Sequence, residues 1–391
     1  MKHHSTLALA FIALTTLVIV APRSTSAQSA LTYTVTDLGK GVTPHAVNDS
    51  GQVVGSSLSG PFLWTPSIPN GTTGSFTILA PVNTNSKSEA INARGQVIGT
   101  FDTGSKDASG YAIYHAFVWN PSVSNGTAGA FTDLNSTLPA GSGWTLTRAH
   151  DINNAGQIVG EGTYTDPQTG LIYSGIDFGW ERDAAGNVRV TRLDLGPSDN
   201  ENPSALNNLT PPQVVGAVNT STLTSAFICQ ANMPRISLGQ LGEGFTQANK
   251  INDGGQVVGI SSAKAFLWTP GATNGVPSNP QMQSLQPTSG VQQSKAFSIN
   301  NSGLVVGVGV YSSNVAYFGF VWDSVNGWRD LNNLSGKPAN WQLQFARNCN
   351  NRTVNGVAAA QIVASGSVTV TTTVKNKKTT SQEAHGFLMT P

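Results

Sequence analysis

The sequence predicts an all-β fold, a seven-bladed β-propeller of four-stranded blades closed by the N-terminal strand. Two observations predict it: three short markers recur in fixed order, and the marker that the last repeat lacks stands at the start of the chain. The first marker is an apolar residue and Asn followed by a Gly-bounded strand. It reads Val47-Asn48 to Gly55, Ile91-Asn92 to Gly99, Ile152-Asn153 to Gly160, Ile251-Asn252 to Gly259 and Ile299-Asn300 to Gly307. Two copies are altered: Leu206-Asn207, where Pro211-Pro212 replaces the Gly, and Cys349-Asn350, which reaches Gly356 one residue early. From Asn to Asn the spacings are 44, 61, 54, 45, 48 and 50 residues.

The second marker is a Phe-x-Trp-like strand, at Phe62-Leu63-Trp64, Phe117-Val118-Trp119, Phe178-Gly179-Trp180, Phe227-Ile228-Cys229, Phe266-Leu267-Trp268, Phe320-Val321-Trp322 and Phe387-Leu388-Met389. The third is a strand ending in Leu, at Ile78-Leu79, Asp133-Leu134, Arg192-Leu193-Asp194-Leu195, Ser237-Leu238, Ser284-Leu285 and Asp330-Leu331. Its missing seventh copy is Thr36-Asp37-Leu38, so residues 32–38 complete the last blade. About fifty residues and four short strands is the size of a propeller blade. Closure removes the free strand edge that an open stack would expose. An open solenoid of the same period is the competing architecture.

Residues 1–27 have the form of a secretory signal: Lys2 near the start, an apolar run from Leu7 to Val20 and a small-residue exit at Ser26-Ala27. The run is too short for a membrane span. The expected product is residues 28–391, one propeller domain, secreted or periplasmic and monomeric. Removing Lys2 and Arg23 turns 21 basic against 20 acidic residues into 19 against 20, which gives no electrostatic case for nucleic acid or an anionic membrane. Charged residues are 10% of the chain, against about 25% in an average domain, so hydroxyls and amides carry solubility. Cys229 and Cys349 fall three blades apart, which argues against a disulfide.

The Ile-Asn-Asn-x-Gly-Gln-Val-Val-Gly pattern, combined with His115-Ala116-Phe117 and the shifted copies Lys264-Ala265-Phe266 and His385-Gly386-Phe387, resembles the bacterial extracellular HAF-repeat family. The likeness covers nearly the whole mature chain and implies secretion rather than a particular reaction. His115 and His385 occupy the repeat motif, so a structural hydrogen bond is expected of them.

Tight-turn dipeptides such as Asn70-Gly71 and Asn125-Gly126 put short links on one face of the ring. Long links go to the other, upper face: Asp102 to Ala112, Tyr164 to Gly175, Asn135 to Trp144 and Asn332 to Trp341. Each innermost strand starts on that face. Three residues before the repeat Asn stand His45, Glu89, His150, Ser204, Asn249, Phe297 and Arg347; five before it stand Thr43, Lys87, Arg148, Asn202, Gln247, Lys295 and Phe345. These columns vary in size and charge, so packing does not dictate them, and they are candidates for the upper mouth of the central channel.

Lys87, Arg148, Lys295 and Arg347, with Asp151 beside them, are the candidate binding residues for an anionic ligand. Trp144 and Trp341 are candidate stacking surfaces for a sugar, with capping of their loops as the alternative. His45, Glu89 and His150 suit either acid–base catalysis or a divalent metal such as Zn, although no cofactor is required by the sequence. No phosphate-binding loop or nucleophile elbow occurs. The leading expectation is a protein that binds a polysaccharide or cell-surface polymer on its upper face. The alternative is a lyase or hydrolase acting on an acidic polysaccharide.

Overall fold

Seven four-stranded antiparallel sheets form a β-propeller in a computed structural model that describes residues 32–391, apart from 80–84, 194–200, 220–222, 231–232, 314–315, 335 and 375–376. The expected signal segment, 1–27, lies outside the described residues. The innermost strands of blades one to seven are Thr43–Val47, Lys87–Ile91, Trp144–Ile152, Glu201–Leu206, Thr246–Ile251, Val291–Ile299 and Trp341–Cys349. Blade seven takes its outer strand from the N-terminus: Thr34–Lys40 pairs antiparallel with Lys377–Thr390, from Thr34 opposite Thr390 to Lys40 opposite His385. This is the expected closure, with the strand two residues later than the sequence suggested. His385 Nδ1 adds a 2.9 Å bond to Asp37 across that seam, and His115 makes the matching 2.8 Å bond to Asp133 in blade two.

The repeat Asn has a role its sequence position alone did not reveal. Each Asn amide donates to the backbone carbonyl of the Asn in the next blade: Asn48 to Asn92, Asn92 to Asn153, Asn153 to Asn207, Asn207 to Asn252, Asn252 to Asn300, Asn300 to Asn350, and Asn350 back to Asn48, at 2.9–3.3 Å. The ring is therefore closed by side-chain hydrogen bonds at every seam. Each Asn is also bonded within its own hairpin, although Asn300, which has Leu304 in place of the Gln, only accepts there. Asn252 donates its second amide hydrogen to Gln256 Oε1, and its Oδ1 accepts the Gln256 backbone N–H. Asp lacks the donors and Gln is a methylene too long, so the position is restricted to one residue type.

A second ring lies outside the first. The N–H of the following residue bonds the side-chain oxygen of its counterpart in the next blade, as in Asn154 to Asn208, Asn208 to Asp253, Asp253 to Asn301 and Asn351 to Asp49. Ala93 has no such oxygen to offer Asp49, so this outer ring is open at one seam. The repeat Gln latches the neighbouring hairpin: Gln52 Nε2 donates to the Asn125 carbonyl and Gln361 Nε2 to that of Asn70. Asn70 and Asn125 sit at φ 61° and 58°, the left-handed turn positions expected of them.

Every inner strand carries a β-bulge between the residues four and two before the Asn, such as Pro44/Ala46 in blade one and Ala248/Lys250 in blade five. The residue three before the Asn is the extra one. The bulge presses the inner strand onto its neighbour, which explains the Gly at the end of the first marker. A Cβ on Gly259 would meet the Gln247 carbonyl oxygen at 2.0 Å, and one on Gly55 would meet that of Thr43 at 2.1 Å.

The Phe column is the core, with Phe62, Phe117, Phe178, Phe266, Phe320 and Phe387 fully buried. Trp64, Trp119 and Trp268 are buried beside it, whereas Trp322 is only half-buried and packs on the edge of its blade's core. Blade seven departs from the sequence alignment. A two-stranded hairpin, Thr353–Val354 with Val357–Ala358, follows Asn350, and Gly356 is its turn; the Gln-Val-Val-Gly counterpart is Gln361-Ile362-Val363-Ala364. Gln361 accordingly bonds Asn350 as Gln256 bonds Asn252. The long links of blades two and three are largely strand: Val97–Lys106 with Ala112–Pro121, and Ile158–Thr165 with Ile172–Arg182. Cys229 and Cys349 are both buried.

Replacing Asn252 by Ala orphans a buried Asn300 carbonyl and two local partners, so a loss of about 2–4 kcal/mol is expected by denaturant titration. The same change at exposed Asn301 should cost less than half as much. Equal losses would show that the inner ring is not the constraint. Removing residues 32–40 should leave the Phe387–Thr390 edge unpaired and yield aggregates by light scattering; a stable monomer would contradict closure by this strand.

Candidate functional site

The bulge decides what reaches the upper mouth. Residues three before the Asn are released from ladder pairing, and five of them cluster with the column five before it in two chemically distinct arcs. In blades one to three the groups are paired. His45 Nδ1 donates to the Ser88 carbonyl at 2.8 Å and lies 3.4 Å from Glu89 Oε2, while the Lys87 ammonium closes on Glu89 Oε1. Arg148 pairs with Glu161 at 3.1 Å, and His150 Nε2 stands 3.9 Å from the other Glu161 oxygen.

Burial alone would raise the Glu89 pKa, but the hydrogen bond and charge of His45 and the Lys87 ammonium outweigh it and hold the carboxyl down at about 2. Burial lowers the His150 pKa; the Glu161 and Glu89 charges oppose that shift, and the Arg148 and Lys87 charges reinforce it. Glu161 was missed in the sequence. It directly follows the repeat Gly160, where the other copies have Ser56, Thr100, Ala217, Ile260 and Val308, so aligning that column would have isolated it as the acid.

In blades six and seven the groups are cationic and aromatic. Lys295 and Arg347 flank Phe297, at 5.8 and 5.5 Å from its ring centre, and Arg347 also lies 4.9 Å over Phe345. Tyr317, half exposed, stacks on Phe345 with ring centres 5.4 Å apart. Arg347 Nε donates to Ser365 and Lys295 makes a long contact to Gln247. Among the described residues neither cation has a carboxylate at ion-pair distance. Burial and the Arg347 charge push the Lys295 pKa down, and burial lowers that of Arg347.

Asp151 belongs elsewhere. It is one of the residues two before the Asn, which line the narrow part of the channel; it is buried, accepts the Leu206 N–H at 3.2 Å and pairs with Lys250 at 2.7 Å, joining blades three and five. A cavity of about 120 Å³ beside this pair is walled by the Asn rings. Trp144 and Trp341 are half-buried and pack inward, Trp144 on Tyr164 and Phe178 and Trp341 on Phe387, so both cap their blades with at most one ring face available.

Among the described residues no group of three or more His, Cys, Asp or Glu side chains is arranged to hold a metal ion. His45, Glu89 and His150 do not form one, because Glu89 is taken by His45 and Lys87 and His150 turns to Glu161. No helix among the described residues is long and apolar enough to cross a membrane.

No family model matches the chain, and no curated protein matches it. Two solved structures are similar at low identity. One, provisionally assigned as a gluconolactonase, is 11% identical over 77% of this chain and 95% of its own, with a TM-score of 0.37. The other, a glucose dehydrogenase, is 12% identical over 91% of this chain and 99% of its own, also with a TM-score of 0.37.

Because the Glu89 pKa is lower folded than unfolded, its contribution to stability is complete above about pH 4.5 and is lost as the pH falls toward 2. A Glu89→Gln variant should therefore show a flatter decline of melting temperature than the parent between those values. Parallel curves would mean that the carboxylate is not held by His45 and Lys87.

Proposed function

We propose that this chain is a secreted or periplasmic protein that binds an anionic polysaccharide at the upper mouth of its propeller. The secretory form of residues 1–27 and the resemblance to the HAF-repeat family support the location. The observation that carries the ligand class is the cation pair of blades six and seven: Lys295 and Arg347 are half-buried, mutually repelling and, among the described residues, without a carboxylate partner beside Phe297, Phe345 and Tyr317. A carboxylate relieves the repulsion and gains charge-assisted hydrogen bonds, while the apolar face of a sugar ring covers the aromatic surface. Arg148 and Lys87, already committed to Glu161 and Glu89, contribute little of this attraction.

A second reading, an enzyme acting on the same polymer, is favoured by one feature. Ser88 and Glu89 fix the Nδ1 side of His45, while its Nε2 has no hydrogen bond among the described residues, the arrangement of an oriented general base. New reducing or unsaturated chain ends after incubation with polyuronates would support it.

By calorimetry, Lys295→Ala and Arg347→Ala should each weaken binding of an oligouronate about tenfold, and together about a hundredfold, with little change in folding stability. Arg148→Ala should change it less than threefold. Equal effects of all three substitutions, or binding insensitive to salt, would overturn the assignment.

A further inference from the structure

Blade seven differs from the others above the ring. Its second and third strands, Ile362–Val374 and Lys377–Thr390, are the longest strand pair among the described residues and run past Trp341, the first residue of the inner strand, which pairs with Val368. The inner strand and this hairpin together wall a groove of about 630 Å³, lined by Asn340, Trp341, Gln342, Gln344, Thr369 and Gln382 among others. Besides Ala339, Gly366 and Ala384 the uncharged lining is amide, hydroxyl and one indole. Its single acid, Glu383, is bonded to Lys40 at 2.8 Å and therefore neutralised. The Gln342 and Gln344 amides carry no hydrogen bond among the described residues, although the neighbouring Gln382 is bonded to Thr369. Side-chain amides donate and accept at once and so match neighbouring hydroxyls, and an indole offers a face to a sugar ring.

We propose that this groove is a second sugar subsite, specific for an uncharged residue of the same polysaccharide chain. The inference rests on the anionic-glycan reading above and deepens it. Gln344 directly precedes Phe345 of the cation–aromatic platform, and Arg347 follows three residues later on the same strand, so one saccharide chain meets both surfaces in sequence. The platform takes a carboxylate and the groove, with no free cation, takes a neutral ring. The ligand is then a heteropolymer in which uronate and neutral sugars share one backbone, not a homopolymer of uronate.

The test compares alternating glucuronate–N-acetylglucosamine oligosaccharides of two, four and six units with oligogalacturonates of the same lengths. For the alternating series, affinity should rise about tenfold with length, and the rise should vanish in a Gln342→Ala, Gln344→Ala protein that binds the disaccharide as the parent does. The oligogalacturonates should show no such rise. A rise that survives the double substitution, or one equal in both series, overturns the subsite. A neutral N-acetylglucosamine oligosaccharide at high concentration, added to the Lys295→Ala, Arg347→Ala protein, should still quench tryptophan fluorescence, and the quench should disappear on adding Trp341→Phe. Quenching there without uronate binding in the parent would retain the groove and reject the anionic platform; no quenching and no length effect would reject the groove alone.

Discussion

The seven-membered ring of Asn side chains is the constraint on which the rest of this structure depends. Propeller blades pack face to face through apolar contacts, which are non-directional and tolerate sliding. The Asn ring supplies the missing direction: each seam is fixed where one amide meets the next blade's carbonyl, and Asn350 to Asn48 fixes the last seam as firmly as the other six. Because each amide bonds both its own hairpin and the next blade's carbonyl, and in five of the seven blades uses both hydrogens and both lone pairs, a shift at one seam breaks bonds in two blades. The outer ring repeats this at six seams and fails only at Ala93. The chain therefore closes at the axis through side chains and at the rim through the Thr34–Lys40 strand, two independent closures of different chemistry.

Fixing the lower end of every inner strand leaves the upper end free to vary. The bulge lies at that upper end, and its backbone approach favours Gly on the neighbouring strand in six blades, with Ala364 in the seventh, while leaving the residue three before the Asn without a ladder partner. A scaffold position that packing does not specify is where charge and aromatic groups can be placed at little structural cost. That is where His45, Glu89, His150, Phe297 and Arg347 stand.

The fold was legible because repetition multiplies weak local signals: one Asn-x-x-Gly is a turn, but five clean copies in register with Phe-x-Trp define a blade. Register inside altered copies was not legible. Gly356 fell within one residue of the expected spacing, yet an inserted hairpin had moved the true counterpart to Gln361–Ala364, and only pairing reveals that. At the mouth, the sequence identified the correct columns but not the partners, since neighbouring blades meet across gaps of 44 to 61 residues. Arg148 and Lys295 look equivalent in the alignment. One is neutralised by Glu161, a residue on the second strand outside both columns, and the other is not.

That difference converts a nominally symmetric ring into an asymmetric site. The chain's formal charge is close to zero, yet of the mouth's four candidate cations only Lys87 and Arg148 are cancelled locally, by Glu89 and Glu161 in blades two and three. The uncompensated cations collect on blades six and seven, beside three aromatic rings and next to the longest paired strands among the described residues. Long-range attraction from a neutral chain is weak, so selectivity must come from this local geometry: a desolvated cation pair that favours an anion, and an adjoining amide-lined groove that offers it no second charge.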